Sequence, residues 1–319
     1  MNVLTPWLKP LVSADRSKGI GGTDIAAIVG LSYWATPFDV WLDKKGNTPK
    51  AQQEEWQKWG NKLEPFIASA YVEESQKKIV KCGMALANPE RSWQVGSPDY
   101  LCLDDPKGVD CKNIRLKSSE WGEQWSDQIP MHYVIQAQWY MMLTGADSWE
   151  FPVLFGGSQF EIFRVDNNER LASSLLEKAE EFWQTYIIGD KQPEIEDSPK
   201  VREWIKSKFP KHSRPLRKAN SSEIEIAKQL AQVKKVVASV EKEQSDLEAK
   251  IKIAIGEEEG LEMEEGKVTW KANRDGEKTD WETISMVLGA HLPDLYKEQI
   301  LKHTKPTQGA RVLRVSIKE

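Results

Sequence analysis

Residues 97–113 read SPDYLCLDDPKGVDCKN. Two short β-prone runs, YLCL and GVDCKNI, lie on either side of DDPKG, a turn signal. The stretch therefore predicts a strand, a tight turn and a returning strand, a hairpin that sets Asp99 beside Asp110. Asp110 and Lys112 are two residues apart and share one strand face, whereas the Cys111 side chain points the other way. The Cys111 carbonyl is then free as a further oxygen donor. Mg²⁺ prefers carboxylate, carbonyl and water oxygens. A lysine beside metal-bound water can orient it and stabilise developing negative charge. The blander reading is an ordinary solvated turn, which fits Asp104 and Asp105. A charged pair inside the apolar run GVDCKNI breaks the usual pattern and asks for a reason.

Working outward, GIGGTDIAAIVG passes from glycines into a helix that Thr23 or Asp24 can cap. Its glycine spacing differs from GxGxxG and no apolar strand precedes it, which argues against a dinucleotide site. TPFDVWLDKKG predicts a short helix ending at Gly46. From Glu54 to Ile79, Trp56, Trp59, Leu63, Phe66, Ile67, Ala70 and Tyr71 recur at helical spacing. That helix carries Glu64. Downstream, residues 128–144 predict a helix, FPVLFGGSQFEIFRV a hairpin turning at Gly156-Gly157, and residues 169–188 a helix ending at Gly189. The order of elements predicts an α/β core built on a mixed sheet.

Residues 200–218 hold eight Lys or Arg and a single Glu, and read as a basic linker. In residues 221–256, Ile226, Leu230, Val233, Val237, Val240, Leu247 and Ile251 follow an a/d alternation broken by Gln244. Ser222 and Glu225 suggest its capping box. A seam so regular is expected to be buried, and we expect the helix to pair with the 266–319 segment. That segment predicts a strand (GKVTWKA), a helix (TDWETISMVLG) and a last strand (ARVLRVSI).

The 319 residues carry a net charge of −5 and three cysteines without a CxxC pair. This argues against a disulfide framework and a structural zinc site. No apolar run is long enough to span a bilayer, and the N-terminus lacks a signal-peptide pattern; a cytoplasmic protein with no membrane contact is expected. Net acidity counts mildly against a nucleic-acid partner, although a basic groove can coexist with an acidic metal site. Most of the fourteen tryptophans, including Trp121 and Trp125, are expected in packing. His132 and His212 lack ligand-spaced partners.

In order along the chain, GIGGTD, WGNKLEP, SPDYL, GVDCKN and VIQAQWYMMLTG resemble the motifs of the phage lambda exonuclease and YqaJ-type viral recombinase family, within the PD-(D/E)xK nuclease superfamily. The resemblance covers about residues 13–190. Asp110 stands where the family more often has Glu, Tyr100 where it has Gly, and Thr23 where it has Ser. The resemblance implies a restriction-endonuclease-like fold, a central mixed sheet flanked by helices, over residues 1–199. Residues 200–220 would be a linker, and 221–319 an accessory region with a long helix.

The same resemblance implies a Mg²⁺ site (Mn²⁺ substituting) at Asp99, Asp110 and the Cys111 carbonyl. Lys112 would assist water, and Glu64 would bind a second metal. Gln136 would orient the site, with Gln138 its rival, since residues two apart on a helix face different ways. Arg16, Thr23 and Ser97 match positions that hold a terminal 5′-phosphate, chemistry that suits a guanidinium fork and two hydroxyls. The implied activity is digestion of linear double-stranded DNA from 5′ ends to mononucleotides, leaving 3′ overhangs for recombination by strand annealing. A trimeric ring, a single-strand annealing partner and the cytoplasm of a bacterial host go with it. An endonuclease of the same superfamily and a non-catalytic DNA-binding or coiled-coil adaptor are the alternatives.

Overall fold

The computed structural model describes residues 5–46, 55–273, 278–305 and Leu313, except the Trp56 side chain. The chain divides into two compact units, Met1–Lys208 and Phe209–Glu319. The first opens with β1 (Val12–Ser13), α1 (Gly22–Ile28) and α2 (Pro37–Lys44). Asp24 caps α1 by accepting from the Gly21 N–H at 2.9 Å and pairs with Lys44 at 2.7 Å. Thr36 and Asp39 cap α2 reciprocally, with Pro37 in its first turn. Gly46, just past α2, has φ +68°.

α3 (Glu55–Ser75) is the helix expected over residues 54–79, shorter at its C-terminus. Its buried face is only part of the one expected. Ile67, Ala68 and Tyr71 are buried, but Trp59 and Phe66 are exposed. Helical periodicity marks positions that share a face; it does not say how far along the helix that face stays covered.

The main sheet is made from β2 (Ile79–Lys81), β5 (Tyr100–Cys102), β6 (Lys107–Val109), β7 (Lys112–Ile114), β8 (Ser148–Phe155) and β9 (Gln159–Asp166). β2 and β5 pair antiparallel, as do β5 and β6. β6 and β7 both run parallel to β8, which forms an antiparallel hairpin with β9. The hairpin turns at Gly156 and Gly157, with φ +57° and +76°, values suited to glycine. A smaller antiparallel sheet joins β1, β3 (Leu86–Ala87) and β4 (Val95–Gly96).

GVDCKNI, expected as one strand, is two. Val109 pairs with Glu150 and Lys112 with Val153, so the register is continuous across the break. That register places Pro152 opposite Cys111. Pro152 has no N–H, so the ladder loses a donor here, and Asp110 and Cys111 lie between strands.

α4 (Met131–Thr144) packs its buried residues, including Trp139, into the main core with Trp149, Phe151 and Phe163. α5 (Glu169–Phe182) continues into a π-helical turn, Trp183–Ile188, before Gly189. α6 (Pro199–Lys208) buries Val201 and Trp204; the Trp204 ring lies 5.6 Å from that of Phe38. The first half of the stretch read as a linker is therefore a helix packed on the first unit.

In the second unit, α7 (Ser221–Ile255) is followed by β10 (Gly260–Met263), β11 (Gly266–Thr269), α8 (Trp281–His291) and α9 (Pro293–His303). The α7 cap is Asn220 with Glu223, not Ser222 with Glu225. Asn at the first position competes well with Ser as a cap. The seam is not buried as expected. Ile226, Val233, Val237, Val240 and Leu247 are exposed, and Ile255 is the buried residue of α7. β10 and α9 were not anticipated, and the last expected strand lies, apart from Leu313, outside the described residues. Among the described residues no helix is long and apolar enough to cross a membrane.

Candidate active site

Asp99 immediately precedes β5, and Asp110 lies in the break between β6 and β7. The hairpin draws the two together: the Asp99 N–H donates to Asp110 Oδ1 at 3.3 Å, and the Cys111 N–H to Asp99 Oδ2 at 2.9 Å. The Asp110 N–H donates to the Glu150 carbonyl of β8 at 3.0 Å. Alternate residues of a strand bond to opposite neighbours, so the Cys111 backbone is directed towards Asp99.

Lys112, first in β7, donates to Asp110 Oδ2 at 3.0 Å and to Gln136 Oε1 of α4 at 3.3 Å. Its ammonium also lies over the Tyr133 ring at 5.1 Å. Burial alone would lower the Lys112 pKa, but Asp110 and Asp99 outweigh it and raise the value. Lys112 is therefore a fixed cation at neutral pH. It can orient water and offset negative charge, but it cannot take up a proton.

Gln136, rather than Gln138, faces this cluster. Gln138 donates to the Asp166 carbonyl at 2.8 Å and accepts from the Asn168 N–H at 2.9 Å, tying α4 to the β9–α5 connection. Gln136 Nε2 donates to the Tyr140 hydroxyl at 3.3 Å, which donates to the Ser97 carbonyl at 3.4 Å. Tyr140 was missed in the sequence, where it reads as one more apolar-face residue of α4. Gly22 lies so close that a Cβ there would come within 2.9 Å of both Gln136 Cγ and Tyr140 Cε1. This connects α1 to the site.

Arg16 donates to Thr23 Oγ1 at 2.9 Å, and both residues are exposed. Thr23 is next to Gly22, so Arg16, Thr23 and Ser97 border the Gln136–Tyr140 pair. Glu64 lies close enough to the cluster to help raise the Asp99 and Cys111 pKa values. It pairs with Lys81 of β2 at 2.9 Å, a lysine the sequence reading did not single out. Glu64 and Asp99 both contribute to raising the Lys81 pKa, Glu64 more strongly, so Lys81 adjoins the acidic cluster.

The electrostatics favour a cation. Burial, then the neighbouring Asp110 charge, pushes the Asp99 carboxyl up to about 8. A buried carboxyl pair cannot ionise fully without a compensating charge. Burial also pushes the Cys111 thiol up, so it remains a neutral thiol and offers its carbonyl, not sulfur, as a donor. Hard oxygens in this arrangement fit Mg²⁺. Among the described residues no three or more His, Cys, Asp and Glu side chains gather closely enough to hold an ion by themselves. The Asp99–Asp110 pair would therefore need backbone or water oxygens to complete a shell, while Glu64 engages Lys81.

Residues 13–147 match the model of the YqaJ-like viral recombinase domain. The chain is similar to a Bacillus subtilis (strain 168) protein described as uncharacterized protein YqaJ, 27% identical over 301 residues, covering 91% of this chain and 90% of that one. Among solved structures, it is similar to an alkaline exonuclease (LHK-Exo) from Laribacter hongkongensis, with TM-score 0.43 and 14% identity over 55% of this chain and 90% of that chain. A phage-related exonuclease from Haemophilus somnus 129PT matches with TM-score 0.41 and 12% identity, over 54% of this chain and 96% of that chain.

Proposed function

Given that residues 13–147 match the model of the YqaJ-like viral recombinase domain, we propose that the protein is a Mg²⁺-dependent exonuclease. It would hydrolyse linear double-stranded DNA from 5′ ends to mononucleotides and leave 3′ overhangs for strand annealing. The observation that carries this reading is the buried Asp99–Asp110 pair, bridged through Lys112 to Gln136. A surface turn has no need of this arrangement, whereas metal-dependent phosphodiester hydrolysis can use it.

Asp99, Asp110 and the Cys111 carbonyl would hold Mg²⁺, and Mn²⁺ could replace it. Such an ion polarises a phosphoryl oxygen and lowers the pKa of bound water. Asp110 anchors Lys112, and Gln136 accepts from the same ammonium. Lys112 then fixes the attacking water and offsets charge on the phosphate. Glu64 would serve a second cation once released from Lys81. Arg16, Thr23 and Ser97 would receive a terminal 5′-phosphate; the Arg16–Thr23 hydrogen bond supports that role because it keeps the guanidinium beside a hydroxyl. An annealing protein and a trimeric ring around DNA complete the proposal, and the basic run 200–218 could guide the duplex.

Purified protein with Mg²⁺ should digest linear duplex and spare closed circular DNA. Duplex with 5′-phosphate ends should be digested faster than duplex with 5′-hydroxyl ends, and Arg16→Ala should reduce that preference. Equal cutting of circular DNA would favour an endonuclease, and no Mg²⁺-dependent hydrolysis would favour an adaptor.

A further inference from the structure

Tyr33 and Trp34, in the loop between α1 and α2, expose 63% and 68% of their surface. Two large rings so open to water are unusual unless something covers them in use. They are also held in place. Their centroids lie 5.8 Å apart, edge to face, and each contacts the His132 ring, at 5.2 Å for Tyr33 and 4.9 Å for Trp34. The Tyr33 hydroxyl donates to Glu120 at 2.5 Å. A pinned aromatic pair loses little freedom on binding.

His132 adds a second observation. It is 8% exposed, yet neither ring nitrogen has a hydrogen-bond partner among the described residues. Buried polar atoms are seldom left so. Burial lowers its pKa to about 4, so the ring stays neutral at pH 7 and offers one donor and one acceptor. On its other side His132 packs 4.0 Å from Tyr133, the ring beneath Lys112. Aromatic groups thus run without a gap from the proposed catalytic lysine to the surface.

We propose that Tyr33, Trp34 and His132 form a stacking site for an unpaired nucleobase of the strand that reaches Lys112. This rests on the nuclease reading. The occupant follows from chemistry and position: every base has a π-face, which makes stacking tolerant of sequence, and the site is continuous with the groups placed to act on the backbone phosphate. The site differs in chemistry from the Arg16, Thr23 and Ser97 group, because it recognises a base and not a phosphate.

The test uses full-length protein in EDTA and a fluorescein-labelled single strand, compared with an abasic strand of the same length. Anisotropy should show that wild-type protein binds the base-bearing strand more tightly. Trp34→Ala should weaken that binding about fivefold to a hundredfold and leave abasic binding unchanged, while Trp34→Phe should retain most of it. Tyr33→Ala should act in the same direction. Both side chains are exposed, so circular dichroism should show intact folds. Unchanged affinity in Trp34→Ala and Tyr33→Ala, or equal losses on both strands, would overturn the stacking site alone, with hydrolysis of linear duplex still supporting the nuclease reading. Failure of wild-type protein to bind the base-bearing strand more tightly than the abasic strand would likewise overturn the stacking site alone.

Discussion

Burial beside Asp110 raises the Asp99 carboxyl to about 8, and this sets a measurable pH dependence. An aspartate in the unfolded chain ionises near 3.9. Between these values folded Asp99 holds a proton that the unfolded chain has released. The unfolded state thus binds fewer protons, and stability falls as pH rises through the window. In EDTA, thermal denaturation should show Tm declining from pH 4 towards 8, and Asp99→Asn should flatten that slope. Added Mg²⁺ should raise Tm more at pH 8 than at pH 5, because it supplies the missing charge. An unchanged slope in Asp99→Asn would show that other groups dominate. Lys112→Ala should lose about 10²–10³-fold in hydrolysis, yet still bind Mg²⁺ by calorimetry. At this scale much was legible. Asp99, Asp110 and Lys112 could be read because strand parity and a turn signal are local. Lys81 could not, since its approach to Glu64 depends on β2 pairing with β5, and no local pattern encodes that pairing.

Among the elements, α1 and α4 meet where Gly22 lies against Gln136 and Tyr140. In a helix, alanine is normally preferred to glycine. Here Gly22→Ala should instead destabilise by about 1–3 kcal/mol and reduce hydrolysis, because the new methyl displaces Gln136 from Lys112. Tm and activity both equal to wild type would contradict this account of the contact. The sequence left Gln136 and Gln138 undecided: helical spacing separates their faces without naming which neighbour each face meets. The break in GVDCKNI was likewise hidden, since its cause is Pro152, some forty residues away on β8. The α3 face was misjudged for a related reason, because Trp59 and Phe66 match the period but lie where nothing covers them.

For the whole molecule, the division at Lys208 revises how a minimal core should be cut. Val201 and Trp204 anchor α6, so a fragment of residues 1–208 should be soluble and should cleave short duplexes. A fragment ending at Gln192 should melt at a clearly lower temperature. Similar melting of the two would show that α6 contributes little. Composition and net charge could not reveal this boundary, because the basic residues of α6 mask the two apolar side chains that attach it. The exposed α7 seam was predicted in extent but not in burial, since a/d spacing specifies a surface and not its cover. A ring requires a trimer by light scattering of full-length protein at micromolar concentration; a monomer alone would exclude it. The most direct test of the central claim is the release of mononucleotides from linear duplex DNA, with Mg²⁺ or EDTA, by wild-type protein and Asp110→Asn. The metal-site account predicts release by wild type with Mg²⁺ and almost none in EDTA or from a folded Asp110→Asn. Full activity of Asp110→Asn, or release in EDTA, would contradict it.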